Sequence, residues 1–313
     1  MDEFDVVVAE RRDVADGVVA LRLRHAAGAD LPAWAPGCHI DVLLTPQLTR
    51  QYSLCGSPSD LRSWRIAILL EPNGRGGSSY VHNQVATGDR LRVRGPRNNF
   101  ELKRAPKYKF VAGGIGITPI LPMIRAADHA GADWTLHYGG RNRESMAFVD
   151  ELAAYEQRVV IRPQDAFGLL DLDDAVGDPM PDTLIYCCGP PPLINAVEKR
   201  CEWWPREALR VERFQPAASV PGVCSQALVV EIASTGEQFA IPAERSILSV
   251  LRDNGFAVLS SCEEGICGTC ETGVIAGVVD HRDFLLNDDE KSSNSTMMIC
   301  VSRAVDSKLV LDL

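Results

Sequence analysis

Ser260-Ser261-Cys262-Glu263-Glu264-Gly265-Ile266-Cys267-Gly268-Thr269-Cys270, with Cys300 thirty residues further on, is the stretch that decides how this chain is read. The spacing is C-x4-C-x2-C with a distant fourth cysteine, the plant-type ligand pattern of a [2Fe–2S] cluster. Each iron of such a cluster takes two thiolates, soft ligands that iron–sulfur centres favour. Glycines at 265 and 268 let backbone N–H groups turn toward inorganic sulfur where a side chain would block them, so the stretch reads as a loop. Cys300 lies in the apolar run Thr296-Met297-Met298-Ile299-Cys300-Val301, which reads as a strand returning the fourth ligand and shielding it from water. The alternative for four cysteines is a structural zinc site. Zinc ribbons pair two C-x2-C knuckles, and only one such pair occurs here. Cys38, Cys55, Cys187, Cys188, Cys201 and Cys224 show no second ligand spacing and read mostly as small buried hydrophobes.

A cluster of this kind moves one electron at a time, so the remainder of the chain should supply or receive electrons. At 313 residues there is room for two or three domains. Hydrophobic content of 46% and charged content of 24% are those of a soluble globular protein, and no apolar run is long enough for a membrane span. Met1-Asp2-Glu3-Phe4-Asp5 carries no signal-peptide core, and ten cysteines without one point to a reducing, cytoplasmic setting. A net charge of −10 argues against nucleic-acid binding. Fourteen acidic and six basic residues fall between Ser225 and Leu313, so that segment holds −8 of the total. Its acids crowd the cysteine loop (Glu263, Glu264, Glu271) and a second stretch (Asp283, Asp288, Asp289, Glu290). They read either as a solvated face or as a docking surface for a basic partner.

Three segments follow. Residues 1–103 alternate apolar and polar over short runs, Phe4 to Val8, Val18 to Leu23, Ile40 to Leu44, Arg65 to Leu70 and Leu91 to Val93, which predicts an antiparallel β-barrel. Residues 104–224 alternate strands and helices, which predicts a parallel α/β sheet with its loops gathered at the C-terminal strand ends. The Pro- and Gly-bearing link from Gln215 to Cys224 reads as a tether. Residues 225–313 form the cluster domain, with a hairpin from Ala227 to Ile241 and a helix from Ser246 to Asn254, Ser246 as its N-cap and Gly255 as its stop.

Smaller motifs are weaker singly. Arg50-Gln51-Tyr52-Ser53-Leu54 places Arg50, Tyr52 and Leu54 on one strand face, where a tyrosine could meet an aromatic ring and an arginine a phosphate, or where nothing but half-buried packing occurs. Asn73-Gly74-Arg75-Gly76-Gly77-Ser78-Ser79 precedes a helix expected over Tyr80 to Ala86, and the free N–H groups of a helix start suit phosphate. Gly113-Gly114-Ile115-Gly116-Ile117-Thr118-Pro119 follows a strand and opens a helix, where a pyrophosphate settles. It departs from the generic dinucleotide fingerprint: Pro119 replaces the third glycine, and Gly139-Gly140-Arg141 stands where an acid usually ends the second strand.

Together, Arg50-x-Tyr52-Ser53, Gly76-Gly77-Ser78, Gly113 to Pro119 and Cys188-Gly189-Pro190 resemble the ferredoxin–NADP reductase superfamily. With the cluster domain last, the order is similar to the phthalate dioxygenase reductase and vanillate demethylase reductase family across essentially the whole chain. The resemblance implies an FMN-binding barrel (1–103), an NAD-binding α/β domain with linker (104–224) and a β-grasp ferredoxin domain (225–313). It implies that Arg50, Tyr52, Ser53 and Leu54 line the flavin and that Gly76, Gly77, Ser78 and Ser79 hold its phosphate. Gly114, Gly116 and Thr118 would meet the NADH pyrophosphate, Arg141 the adenosine ribose, and Cys188, Gly189 and Pro190 the nicotinamide. Phe214 matches an aromatic position covering the flavin ring, or is plain packing. One departure concerns Leu69-Leu70-Glu71, where some relatives carry a basic residue before the glycine-rich loop. NADH would give two electrons, FMN would divide them and the cluster Cys262, Cys267, Cys270 and Cys300 would pass them singly, with no side-chain acid or nucleophile required. His39, His82 and His137 read as structural. The implied partner is a Rieske-type non-haem iron oxygenase. The alternatives are an oxidoreductase acting directly on a small molecule and a non-enzymatic redox sensor.

Overall fold

The computed structural model describes residues 3–46, 48–215 and 226–313. The chain divides into two compact units, Met1–Phe214 and Gln215–Leu313. Beyond Gln215, the expected tether lies outside the described residues, as does Cys224.

The first unit opens with six antiparallel strands: β1 (Glu3–Ala15), β2 (Val18–His25), β3 (Cys38–Thr45), β4 (Leu48–Ser53), β5 (Trp64–Leu69) and β6 (Arg90–Asn98), in the order β4-β3-β6-β1-β2-β5. Their apolar faces close on Val6, Leu21, Leu23, Ile40, Trp64 and Ile66, all buried. Past the end of β4, Cys55 N–H donates to the Arg65 carbonyl of β5 at 2.8 Å, so the two edges meet there and the sheet curls into the expected barrel. Helix α1 (Gly77–Gln84) begins three residues before the expected Tyr80. Gly76, with φ 79°, turns the chain into it, so Gly77, Ser78 and Ser79 form its first turn rather than a preceding loop.

Five parallel strands follow, β7 (Lys107–Gly113), β8 (Asp133–Gly140), β9 (Val159–Pro163), β10 (Thr183–Gly189) and β11 (Leu209–Arg213), ordered β11-β10-β7-β8-β9. The order reverses between β7 and β10, and that switch point is where open α/β sheets bind ligands. Helices α2 (Ile117–His129), α3 (Val149–Leu152), α4 (Gln164–Phe167), α5 (Leu172–Val176) and α6 (Pro191–Arg200) connect them. Alternate residues of β7 serve opposite faces: Phe110 packs with Ile120, Leu121 and Ile124 of α2, while Val111 packs with Val176 of α5 and Ile194 and Val197 of α6. The α2-side core also takes in Val18, Ala20 and Ala67 of the barrel, so barrel and parallel sheet share apolar packing within one unit.

The second unit is a mixed sheet of β12 (Leu228–Ile232), β13 (Gln238–Ile241), β14 (Glu271–Ala276), β16 (Thr296–Met298) and β18 (Lys308–Asp312), ordered β13-β12-β18-β14-β16, with a two-stranded ladder of β15 (Val279–Asp280) and β17 (Arg303–Ala304). Only β12 and β18 pair in parallel within it. Helix α7 (Ile247–Asp253) covers this sheet with Ile247, Leu248 and Leu251. Ser246 Oγ accepts from Ser249 N at 3.1 Å, and Gly255 at φ 86° ends the helix, as the sequence predicts. A last helix, α8 (Asp288–Ser293), starts with a reciprocal capping box between Asn287 and Glu290. Cys300 differs from expectation. The strand ends at Met298, whose carbonyl accepts from Val301 N at 3.1 Å and Ser302 N at 2.9 Å, so Cys300 sits in the turn beyond it.

Candidate redox sites

Four cysteine sulfurs gather on one side of the second unit. Cys262, Cys267, Cys270 and Cys300 are buried, at 9%, 1%, 3% and 7% relative exposure. The Cys262 sulfur lies within reach of those of Cys267 and Cys300, and the Cys300 sulfur within reach of that of Cys270. The four sulfurs thus make one contiguous set. Glu264 N–H points at Cys262 Sγ over 3.3 Å. Gly265 has φ 72°, and a Cβ there would lie 2.6 Å from Val301 Cγ2 and 3.1 Å from Asp283 Cα, so the loop closes against its support only because no side chain intervenes. Among the described residues no three His, Cys, Asp or Glu side chains form a ready cage for a single metal ion. An all-cysteine donor set gathered in this way fits a binuclear cluster, which takes four thiolates.

In the first unit, β3–β4 pairing sets Arg50 opposite Val42 and Tyr52 opposite Ile40. A Cβ on Gly77 would run into the Arg50 side chain, so the guanidinium lies against the first turn of α1. Arg50 donates to the Thr49 carbonyl at 2.7 Å and the Arg75 carbonyl at 2.6 Å. A cation beside the N–H groups of a helix start is an arrangement that suits a phosphate. Ser78 Oγ is partly committed, accepting from Glu71 N at 3.0 Å. Ser79 is half-buried one residue further along α1. Ser53 and Leu54 are buried, and Phe214 is half-buried against the shared core.

At the switch point the two glycine motifs meet. A Cβ on Gly116 would overlap the Cys188 carbonyl, and one on Gly189 would lie 3.0 Å from Gly113 Cα. Gly114, at φ 52°, faces open space, so its backbone stays accessible where α2 begins. Thr118 Oγ1 donates to the Ile115 carbonyl at 2.9 Å and braces that turn. Pro190 precedes α6, whose first turn carries no acid. Arg141 is exposed beyond β8, and its carbonyl accepts from Asp165 N at 3.1 Å. The sequence-derived residues therefore form two groups here, Gly113–Thr118 with Cys188–Pro190, and Arg50–Leu54 with Gly76–Ser79.

Glu212 escaped the sequence reading. The parallel register places it directly beside Cys188. Its Oε2 is buried without a partner while the Ser53 hydroxyl donates to the carboxyl, and burial pushes its pKa up to about 8. Burial also raises the Cys188 thiol well above its ordinary value. A buried acid held neutral near pH 7 thus links the flavin-motif serine to the nicotinamide-motif cysteine. The only sequence cue was adjacency to Arg213-Phe214, because strand register is not written in local pattern. Of the three histidines, burial and Arg97 lower His39 to about 3, His82 Nε2 lies 3.0 Å from the Ile68 carbonyl, and His137 Nε2 lies 3.0 Å from Asp174 Oδ2.

Comparison with known proteins bears on both units. Residues 230–305 match the 2Fe-2S iron-sulfur cluster binding domain, and residues 110–165 match the oxidoreductase NAD-binding domain. Phthalate dioxygenase reductase of Burkholderia cepacia is 38% identical over 312 residues, covering 98% of this chain and 96% of the relative. The solved phthalate dioxygenase reductase, described as a modular structure for electron transfer from pyridine nucleotides to [2Fe–2S], matches with a TM-score of 0.74 at 36% identity, over 99% of this chain and 98% of that one. The chain belongs to the phthalate dioxygenase reductase family. Part of an intact type IV self-sufficient cytochrome P450 monooxygenase is also similar, with a TM-score of 0.92 and 40% identity over 99% of this chain and 41% of that one.

As a member of this family, the chain is an oxidoreductase whose cofactors are FMN, NADH and a [2Fe–2S] cluster. The four-thiolate set fits the cluster rather than zinc. No helix among the described residues is long and apolar enough to cross a membrane.

Proposed function

We propose that this phthalate dioxygenase reductase relative draws electrons from NADH and hands them singly to a separate Rieske-type non-haem iron oxygenase by transient docking. The observation that carries the reading is the pairing, in one chain, of a glycine-lined switch point with a buried four-cysteine loop. FMN supplies the conversion from a two-electron donor to a one-electron carrier. The modules are 1–103, 104–224 and 225–313. Arg50 and the first turn of α1 bind the flavin phosphate, and Tyr52, Ser53, Leu54 and Phe214 border its ring. Gly114, Gly116 and Thr118 receive the dinucleotide pyrophosphate, Arg141 borders the ribose, and Cys188, Gly189 and Pro190 seat the nicotinamide. Glu212 holds a proton on its carboxyl beside Ser53. Among the described residues the cysteines form no disulfide, in keeping with a reducing cytoplasmic setting. The similarity to a P450 module favours one second reading, a haem monooxygenase as acceptor.

Purified protein should show overlapping flavin and iron–sulfur absorption, release FMN on acid treatment and turn over faster with NADH than with NADPH. Electrons should then pass to an added Rieske oxygenase. Colourless, iron-free material from an anaerobic preparation would defeat the reading, and faster transfer to a P450 haem domain would favour the second acceptor.

A further inference from the structure

We propose that Glu151 is a positioning residue, the pin that registers the flavin-lining strand against the pyrophosphate helix. The inference rests on the FMN and NADH sites assigned above. Glu151 belongs to α3, and two arginines from different elements converge on its carboxylate. Arg65 of β5 reaches it with two nitrogens, at 2.6 Å and 3.1 Å, and Arg125 of α2 pairs with its Oε2. Each arginine also donates to the segment that continues β4: Arg65 to the Cys55 carbonyl at 2.7 Å and Arg125 to the Gly56 carbonyl at 3.1 Å. Arg65 further stacks over Phe148, 4.6 Å from its ring centre. All three ionic side chains are partly buried, at 21% for Arg65, 31% for Arg125 and 35% for Glu151.

The connectivity matters more than the ion pairs. Cys55 and Gly56 directly follow Ser53 and Leu54, which border the flavin. Arg125 stands seven residues after Thr118, two turns along the same face of α2, whose N-terminus receives the pyrophosphate. One carboxylate therefore fixes the end of the flavin strand to the helix that positions the nucleotide. Hydride transfer depends on the distance and alignment of two rings, and a displacement of ~1 Å far from the reacting atoms can cost on the order of 100-fold in rate. A pin of this kind should act on the rate of transfer rather than on the affinity for either ligand.

The test uses the full-length holoenzyme carrying Glu151→Gln, which keeps size and removes charge, with Arg92→Gln as a control that breaks the Arg92–Asp5 pair of the barrel, away from α2 and α3. In anaerobic stopped flow, Glu151→Gln should lower the limiting rate of flavin reduction by roughly 10- to 100-fold and leave NADH half-saturation within about twofold. It should also weaken the long-wavelength absorbance of the stacked nicotinamide and flavin. In the flavin-free protein, hydrogen exchange should rise across residues 54–57 and stay unchanged in β8. Arg125→Gln, which removes the α2 side of the link, should shift both readouts in the same direction. An unchanged limiting rate, a loss confined to NADH affinity or flavin content, or unaltered exchange at residues 54–57 overturns the proposal. Failure of the wild-type flavin to bleach with NADH strikes the functional reading instead.

Discussion

Glu212 shows what one side chain can do when folding strips it of water. Its acidity weakens because nothing but the Ser53 hydroxyl offsets burial of the charge. The folded pKa of about 8 stands above the ordinary 4.5, so the native state binds more protons than the unfolded chain between those values. Stability contributed by the neutral acid is full below about pH 4.5 and is lost as pH rises through about 8. Glu212→Gln should flatten that slope, leaving the variant more stable than wild type at pH 9 by a few kcal/mol, since each tenfold change in proton affinity is worth ~1.4 kcal/mol. Thermal melts across pH 6–9 check this, and identical slopes would mean the carboxyl is already ionised. At Cys267 the matching change is Cys267→Ser. It should abolish or damage the iron–sulfur absorption while NADH still bleaches the flavin. Electron delivery to a one-electron protein acceptor at full rate would then show that the relay bypasses the cluster.

Elements depend on a few positions where backbones touch. Gly116 is one: α2 starts so close to the end of β10 that even a methyl group meets the Cys188 carbonyl. Gly116→Ala should push the two loops apart, destabilise the unit by about 1–3 kcal/mol as overpacking does, and weaken NADH binding more than flavin binding. Nucleotide titration of the flavin-loaded variant checks the order of those losses, and equal loss of both ligands would mean a general collapse. Elements of this kind were legible in the chain. Alternation gave the barrel strands, strand-to-glycine junctions gave the ends of β7, β8 and β10, and the Ser246 and Gly255 signals bounded α7. The misses share one cause. The start of α1 at Gly77, the turn that carries Cys300 and the approach of Glu212 to Cys188 are settled by close packing and strand register. Those are decided between distant segments, where local periodicity carries no information.

At the scale of the whole molecule the charge is lopsided, with −8 of the net −10 in the last 89 residues. Not all of that charge faces outward for a partner. Glu263 is met by Arg252 at 2.8 Å, and Glu290 spends its carboxylate on the Asn287 backbone at 2.8 Å. Asp288 and Asp289 are exposed in the first turn of α8, where the helix dipole favours acids. Changing both to Asn should cost ~0.3–1 kcal/mol of stability each. It should also slow delivery of electrons to a basic acceptor protein several-fold at low salt, because steering acts on the encounter rate and fades beyond a Debye length of ~10 Å at 0.1 M. Glu263→Gln should instead loosen its tie to Arg252 and change the encounter rate less. Second-order transfer rates from prereduced protein, measured from low to high ionic strength, separate the cases. The wild-type rate should fall with salt, the double variant should respond weakly, and the two should converge. Parallel curves would show that these acids are a solvated face and that partner recognition rests on shape and apolar contact instead.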